Sequence, residues 1–311
     1  MEPGRGESGG RRVTTVAQPE EVAAVTPELE AAAGRAEARR GFLISLPSYF
    51  YLVLFFVIPL GLVFVYSFAT RDSTGLTVLE DWNLDSYERL FTGEVVRIFV
   101  RSFVLALATT LICLAFAYPF AYYIATRSPR ARNILLVFVM IPFWSNFLVR
   151  TYAWRVILGS DGPVSQISEA LGGEPIRLLF TTTAILIGLV YGFMPFMVLP
   201  LYAALERMDW RLVEAARDLY ADGFSAFRKV TFPLSVPGVV AGSILVFIPS
   251  LGAYVTPALL GGANTVLAGD YIVSQFLAAR NWPYGSALSI GIMSVMLLAT
   301  IYYFRAGAKT L

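Results

Sequence analysis

Long apolar runs separated by shorter polar segments dominate this chain. Each run is long enough to cross roughly 30 Å of hydrocarbon as a helix that rises about 1.5 Å per residue. The pattern therefore predicts an all-α, polytopic membrane protein with about six transmembrane helices. The predicted spans cover approximately residues 42–68, 103–125, 134–158, 184–204, 236–260 and 287–304.

The first 40 residues contain no such run. Residues 1–25 are rich in Gly, Glu, Arg, Ser and Pro and are expected to be disordered, and a short helix is expected to begin at Thr26 and Pro27. The first apolar run is not expected to be a signal peptide, because a long polar segment precedes it and no small-x-small cleavage site follows it. We predict a cytoplasmic tail over residues 1–40 and a transmembrane domain over residues 41–311.

The basic residues predict the orientation. Six crossings place both chain ends on one side of the membrane. If that side is the cytoplasm, the inner segments carry roughly 16 of the 24 lysines and arginines, and the outer segments roughly 8. The positive-inside rule therefore favours cytoplasmic termini.

Several predicted spans contain proline. Membrane helices tolerate proline where neighbouring helices or a water-lined cavity satisfy the freed carbonyl groups. We therefore expect a helix bundle that encloses a pathway. The prolines are Pro47, Pro119, Pro142, Pro195, Pro249 and Pro257.

Composition excludes several kinds of function. Hydrophobic residues make up 57% of the chain and the mean hydropathy is +0.64, whereas the net charge of +2 is too small to indicate nucleic-acid binding. The absence of histidine excludes a Ser-His-Asp triad and an H-E-x-x-H zinc site. Cys113 is the single cysteine, so no intramolecular disulfide forms and a packing role is expected. Neither Lys229 nor Lys309 follows a glycine, so the chain has no P-loop.

A polar loop over residues 205–232 stands out between the fourth and fifth spans, with five basic and five acidic residues. Two alanines after Glu214 allow close helix approach, and Asp222-Gly223 predicts a turn that divides the loop into two short helices. Pro233 then begins the fifth span. The simplest interpretation is a solvated amphipathic loop, but the pattern also suits a loop that a cytoplasmic partner grips.

The loop resembles the Glu-Ala-Ala motif of ABC importer permeases, which forms the coupling helices that sit in a groove of the ATPase subunit. Two positions depart from the motif: Tyr220 stands at its glycine and Phe232 at its leucine. We expect Gly223 to supply a shifted or wider bend between the two helices. The positions that match, or that replace one aliphatic residue by another, are Glu214, Ala215, Ala216, Val230 and Pro233.

The resemblance covers nearly everything from about residue 42 to 304. The runs IPFWSNFLVRTYAW (141–154), PFMVLPLY (195–202), LGGAN (260–264) and NWPYG (281–285) resemble permease subunits of spermidine/putrescine importers. Iron, thiamine and 2-aminoethylphosphonate importers have similar permeases and remain alternatives. The resemblance implies an ABC type I importer permease fold.

The resemblance also implies partners. These are a second, related permease, two copies of a cytoplasmic ATPase that binds ATP and Mg, and an extracytoplasmic binding protein that delivers the substrate. This chain would then carry no cofactor and would not itself be an enzyme. The residues predicted to couple it to the ATPase are Glu214, Ala215, Ala216, Arg217, Asp218, Gly223, Arg228, Lys229 and Pro233.

A polyamine is a flexible polycation, and its passage requires carboxylates, carbonyls or aromatic faces that replace its water. No Asp or Glu lies within a predicted span, so aromatic faces and one amide are the candidates. The alternative role of each aromatic is an anchor at the membrane interface. The predicted path residues are Phe143, Trp144, Asn146, Tyr152, Trp154, Tyr191 and Tyr254, with Asp161 and Asp270 at the outer mouth.

Arg150 and Arg155 conflict with a polycationic cargo if they line the path. We expect them at the outer interface, where they snorkel or pair with Asp161 or with a partner protein. If they line the path, an anionic or metal-complexed cargo is expected instead. Two other classes are a secondary transporter, which commonly has inverted repeats and midplane acids, and a membrane-embedded enzyme, which needs a catalytic cluster.

Overall fold

The computed structural model describes residues 45–72, 75, 77–79, 82–262 and 265–307. The tail predicted over residues 1–40 lies outside these residues, as does its short helix. By internal contacts the chain divides into two units, Met1–Gly61 and Leu62–Leu311. The described part of the first unit belongs to one helix, α1, which spans Ser45–Tyr66.

Helix α1 is apolar around its whole circumference, and its most hydrophobic window has a mean hydropathy of 2.3. Such a helix is typical of a membrane span. It contains a π-helical turn, Val53–Val57, that ends two residues before Pro59. Proline has no N–H, so the carbonyl four residues earlier has no α-helical partner, and a wider turn fits at that point.

The second unit is almost entirely helical among the described residues. A short antiparallel hairpin pairs Thr70 with Val78 and Arg71 with Thr77. The elements are β1 (Thr70–Arg71), β2 (Thr77–Val78), α2 (Asp85–Glu88), α3 (Gly93–Ala125), α4 (Pro129–Trp144), α5 (Phe147–Ile157), α6 (Pro163–Ala170), α7 (Thr182–Glu206), α8 (Arg211–Asp218), α9 (Gly223–Leu251), α10 (Val255–Leu260), α11 (Ala268–Leu277) and α12 (Trp282–Gly307).

Five described helices, α1, α3, α7, α9 and α12, are long and apolar enough to cross a membrane. Helices α4 and α5 form a sixth candidate only as one broken span, because they are bent by 89° relative to each other. The prediction of a continuous span over residues 134–158 is therefore wrong. The prediction that the fifth span runs to residue 260 is also wrong, since α9 ends at Leu251 and α10 is a separate helix.

The break between α4 and α5 has a local cause. Pro142 cannot donate to the carbonyl four residues earlier, which weakens the last turns of α4. Asn146 then adopts an extended conformation and caps α5, because its Oδ1 accepts hydrogen bonds from the N–H of Leu148 (2.8 Å) and of Val149 (3.4 Å). A good cap at this point favours a new helix over continuation of the old one.

Helices α3, α7 and α9 pack against one another and form the main core. Helices α9 and α7 approach each other closely. A Cβ placed on Gly238 would lie 2.6 Å from Cβ of Ala204 and 2.8 Å from the carbonyl oxygen of Pro200. A Cβ on Gly242 would lie 2.8 Å from Sδ of Met197. The four-residue spacing puts both glycines on one face of α9, as in small-xxx-small membrane interfaces.

Cys113 of α3 lies in this core. Its side chain is fully buried, and its Sγ lies 3.6 Å from the carbonyl oxygen of Val190 on α7. The prediction that it is a small packing residue is confirmed.

We expect Gly238→Ala to destabilise the protein by about 1–3 kcal/mol, because the new methyl group overlaps the α7 backbone. The measurement is the midpoint of thermal unfolding of the purified protein in detergent. Gly192→Ala is the matched control, since a Cβ at that helical glycine meets nothing within 4 Å. Equal midpoints for the two variants would contradict a glycine-dependent approach of α9 to α7.

Candidate functional site

Helix α8, inside the polar loop, has an apolar face and a charged face. Val213 is buried and packs with Met208 and Ala226, which anchors the helix to the start of α9. The charged face is left free to meet another molecule. Of the predicted coupling residues on α8, Glu214, Ala215, Arg217 and Asp218 are exposed, and Ala216 is half-buried.

The turn after α8 forms at Tyr220, the position at which the motif has glycine. The N–H of Tyr220 donates to the carbonyl of Arg217 (2.9 Å), and the N–H of Ala221 donates to the carbonyl of Ala216 (3.0 Å). These two bonds define a Schellman cap, whose central residue is normally glycine because φ is positive there. Tyr220 has a φ of 63°. The expectation that the bend shifts to Gly223 is therefore wrong.

The second half of the loop is not a separate short helix, which corrects that prediction. Helix α9 begins at Gly223 and passes through a π turn, Phe227–Thr231, into the membrane span. Just before it, Asp222 has a pKa below its usual value, chiefly because the Ser225 side chain stabilises the carboxylate. The remaining predicted coupling residues, Arg228, Lys229 and Pro233, are exposed.

An ion pair joins α4 to α7 next to the start of the polar loop. Arg132 near the start of α4 donates to the carboxylate of Glu206 at the end of α7. Arg127, just after α3, lies with its guanidinium carbon 4.1 Å from the ring centroid of Tyr123. The ends of α3, α4 and α7 that carry these residues therefore lie on the same side of the bundle as the loop.

Arg150 stabilises the bend at the other end of α4. Its guanidinium donates to the carbonyl of Pro142 (2.6 Å), which also accepts a bond from the Ser145 hydroxyl (2.8 Å). A positive charge at a helix C-terminus complements the helix dipole. Among the described residues its polar partner is thus a carbonyl group and not Asp161. Arg155 instead lies 5.9 Å from the ring centroid of Phe180.

Two aromatic rings lie beside Arg150 and a third packs on one of them, and we call Phe147, Arg150, Trp154 and Tyr191 the bend cluster. The rings of Trp154 and Tyr191 meet edge to face, with centroids 5.3 Å apart. The guanidinium carbon of Arg150 lies 5.7 Å from the centroid of Phe147 and 5.8 Å from that of Tyr191. The structure thus brings together two predicted path residues, Trp154 and Tyr191, and places Tyr191 beside a resident cation.

Another predicted path residue, Asn146, is joined to the bend cluster through the backbone, because the N–H of Arg150 donates to its carbonyl (3.0 Å). Phe143 packs against Phe196 of α7, with centroids 4.9 Å apart. Asp270 is half-buried in the first turn of α11, and this burial raises the pKa of its carboxyl group. Exposed side chains are those of Trp144, Tyr152, Asp161 and Tyr254, and Asn146 acts as the cap of α5.

Nothing in the described ranges suggests a metal centre. Within residues 45–72, 75, 77–79, 82–262 and 265–307, no three Cys, Asp or Glu side chains converge as possible ligands.

Contacts between α3 and the polar loop were not predicted from the sequence. The ring of Tyr122 meets that of Trp210 edge to face at 5.6 Å, and the hydroxyl of Tyr118 lies 2.7 Å from that of Ser235. The spacing of four residues indicates that the two tyrosines share a face of α3. Their partners are distant in sequence, so the pattern alone could not identify them.

Comparison with known proteins agrees with this geometry. Residues 117–307 match the protein family described as binding-protein-dependent transport system inner membrane component. The chain is 42% identical over 258 residues to the spermidine/putrescine transport system permease protein PotB of Haemophilus influenzae, which covers 82% of this chain and 90% of that protein. Its identity to PotB of Escherichia coli is 40% over 258 residues, covering 82% and 94% of the two chains.

A solved structure shares the fold. A chain from the crystal structure of a bacterial alginate ABC transporter, in complex with an alginate pentasaccharide-bound periplasmic protein, superposes with a TM-score of 0.68. The match covers 86% of this chain and 94% of that chain at 16% identity. At this identity the likeness concerns the fold alone.

Replacing Tyr220 by glycine is expected to preserve or strengthen the end of α8. Glycine removes the cost of about 1–2 kcal/mol for a side chain in the left-handed conformation, partly offset by about 0.5–1 kcal/mol of added chain entropy. Hydrogen exchange of the α8 amides measures the effect. Leu219→Gly is the control, because Leu219 is also exposed but has a negative φ. Greater exchange in Tyr220→Gly than in Leu219→Gly would contradict the assigned cap.

Removal of the cap at the bend should lower stability. Asn146→Ala loses both side-chain hydrogen bonds to α5, at a cost of about 1 kcal/mol, whereas Asn146→Asp keeps an acceptor and should retain most of it. The thermal midpoint in detergent is the measurement. Asn133→Ala, at an exposed position within α4, should not lower it. The cap is refuted if Asn146→Ala and Asn133→Ala unfold at the same temperature.

Proposed function

The chain belongs to the family of binding-protein-dependent transport system inner membrane components, and from this premise we propose that it carries spermidine or putrescine through the membrane as the permease subunit of an ABC importer. The observation that carries the cargo assignment is the similarity, along most of both chains, to permeases named for spermidine/putrescine transport. The fold shared with an ABC transporter supports the transport role.

The proposed assembly contains three further kinds of protein. A second, related permease completes the pathway, a dimer of cytoplasmic ATPases binds ATP and Mg, and an extracytoplasmic binding protein delivers the cargo. The termini of this chain are cytoplasmic in this proposal. Support comes from Arg127, Arg130 and Arg132, which lie on the same side of the bundle as the polar loop and fit the positive-inside rule.

The polar loop is the proposed site of ATPase contact. Its exposed acidic and basic side chains suit a polar interface, and α8 is held between a Schellman cap and an apolar anchor. A helix held at both ends moves as a unit. Closure of the ATPase dimer would therefore displace α8 and rock the packed spans from an inward-facing to an outward-facing state.

The proposed path runs past the predicted aromatic and amide residues near the bend. A cation–π contact contributes about 0.5–2 kcal/mol, which is weak enough for passage. The resident charge of Arg150 favours the second candidate, an importer of an anionic solute such as 2-aminoethylphosphonate. Direct competition between the two cargo classes decides between these proposals.

The test is uptake into proteoliposomes that contain this chain with its co-purifying permease, ATPase and binding protein. We expect labelled spermidine or putrescine to accumulate only with internal ATP, and unlabelled polyamine to compete. ATP hydrolysis stimulated by the binding protein without polyamine uptake would reject the cargo and retain the importer. Uptake by the isolated chain, driven by an ion gradient, would reject the importer.

Glu214→Lys is expected to reduce both uptake and stimulated ATP hydrolysis at least tenfold, because it reverses the charge at the proposed interface, where close charge pairs couple strongly. Glu169→Lys makes the same change on an exposed position of α6 and should leave both rates near wild type. Unchanged rates in Glu214→Lys would remove the polar loop from the coupling mechanism.

A further inference from the structure

The π turn Phe227–Thr231 joins the polar loop to the span α9. It closes with a bond from the N–H of Phe232 to the carbonyl of Phe227, and Pro233 is the next residue after Phe232. Single π turns widen a helix locally and occur often at functional sites. Any movement that the loop passes along the backbone into α9 must cross this widened turn. A brace across the turn would therefore decide how much of the movement reaches the span.

Tyr118 of α3 contacts the first residue of the turn and the residue that directly follows the turn. Its ring centroid lies 5.5 Å from that of Phe227, edge to face, and 6.1 Å from that of Phe232. The Tyr118 side chain is buried, at 9% exposure, and Phe232 covers it from the outside with a ring that is 41% exposed. Edge-to-face aromatic pairs contribute specific geometry as well as buried area. The ring is thus placed to hold these two residues at a fixed separation.

The hydroxyl of Tyr118 adds a directed hydrogen-bond chain. The Ser235 hydroxyl donates to the carbonyl of Phe232 (2.9 Å) and lies 2.7 Å from the oxygen of Tyr118. Each hydroxyl group has a single proton. Because the Ser235 proton is used on Phe232, the Tyr118 hydroxyl donates to Ser235. The chain of bonds therefore ends on the first residue after the π turn.

The other end of the loop is held by the same face of α3. Tyr122 lies four residues after Tyr118, and its ring packs edge to face on Trp210, the residue that precedes α8. One helix face thus contacts the loop before α8 and after it. When α8 moves, it therefore acts on α3 at two points, and α3 either resists the movement or moves with it.

We propose that Tyr118 is a positioning residue that braces the π turn, so that movement of the polar loop passes to α3 and α9 together. The inference rests on the proposed function, in which that loop couples ATP hydrolysis to transport. Without the brace, part of the loop movement is absorbed by the π turn. ATP is then hydrolysed with less cargo moved.

The experiment compares Tyr118→Phe, Ser235→Ala and the double variant in the reconstituted complex with ATPase, second permease and binding protein. Spermidine uptake and ATP hydrolysis are measured in the same vesicles. Each single variant is expected to lower the uptake per ATP about two- to tenfold, the range set by loss of one hydrogen bond. The double variant should be no worse than the singles, because both changes break the same bond.

Tyr123→Phe is the matched control, since it removes a hydroxyl group from a 45% exposed tyrosine of the same helix. Its uptake per ATP should equal that of the wild type. Tyr118→Phe with a wild-type ratio would overturn the proposal, as would a double variant whose losses multiply. A lower thermal midpoint with an unchanged ratio would assign Tyr118 a structural role only.

If the cargo assignment is wrong, the experiment gives a different result. If the wild-type complex takes up no polyamine, the brace is measured as the stimulation of ATP hydrolysis by the binding protein. That stimulation does not depend on the cargo being spermidine. Tyr118→Phe is expected to lower it by a similar factor, and an unchanged stimulation would overturn the brace.

Discussion

The close approach of α9 to α7 at Gly238 and Gly242 is the constraint on which the bundle depends. Apolar side chains gain little by leaving lipid for another apolar helix, so tight packing must come from backbone contact. Small residues at a spacing of four make that contact possible. The polar loop begins at the end of α7 and ends where α9 enters the membrane. The contact between α7 and α9 therefore fixes the positions of the two ends of the loop.

Proline and left-handed residues then determine where the helices bend. Pro142 precedes the break between α4 and α5, and Pro59 and Pro233 each follow a π turn by two residues. Tyr220 completes a Schellman cap in spite of its side chain. At the break between α4 and α5, the Asn146 side chain accepts from the free N–H groups at the start of α5, and the Arg150 guanidinium donates to the Pro142 carbonyl.

The fold class and the position of the loop could be predicted because they depend on local composition. Long apolar runs identified the helices of five of the six spans, although the fifth ends at Leu251, and the Glu-Ala-Ala sequence located α8. The break at Asn146 was not predicted because α4 and α5 together are long and apolar enough to pass as one span. The Tyr118 contacts could not be predicted because Ser235 lies 117 residues away in the chain. The assignment of individual path and coupling residues stays a prediction.

The bend cluster limits how strongly the proposed path can hold a polycation. The guanidinium of Arg150 already lies over Phe147 and Tyr191 and is tied to the Pro142 carbonyl. An incoming ammonium group gains cation–π attraction from these rings but is repelled by the resident charge. A weak net interaction lets the cargo leave the path quickly, but it distinguishes poorly between one cargo and another. In the proposed importer, selection therefore falls to the extracytoplasmic binding protein, before the cargo reaches the membrane.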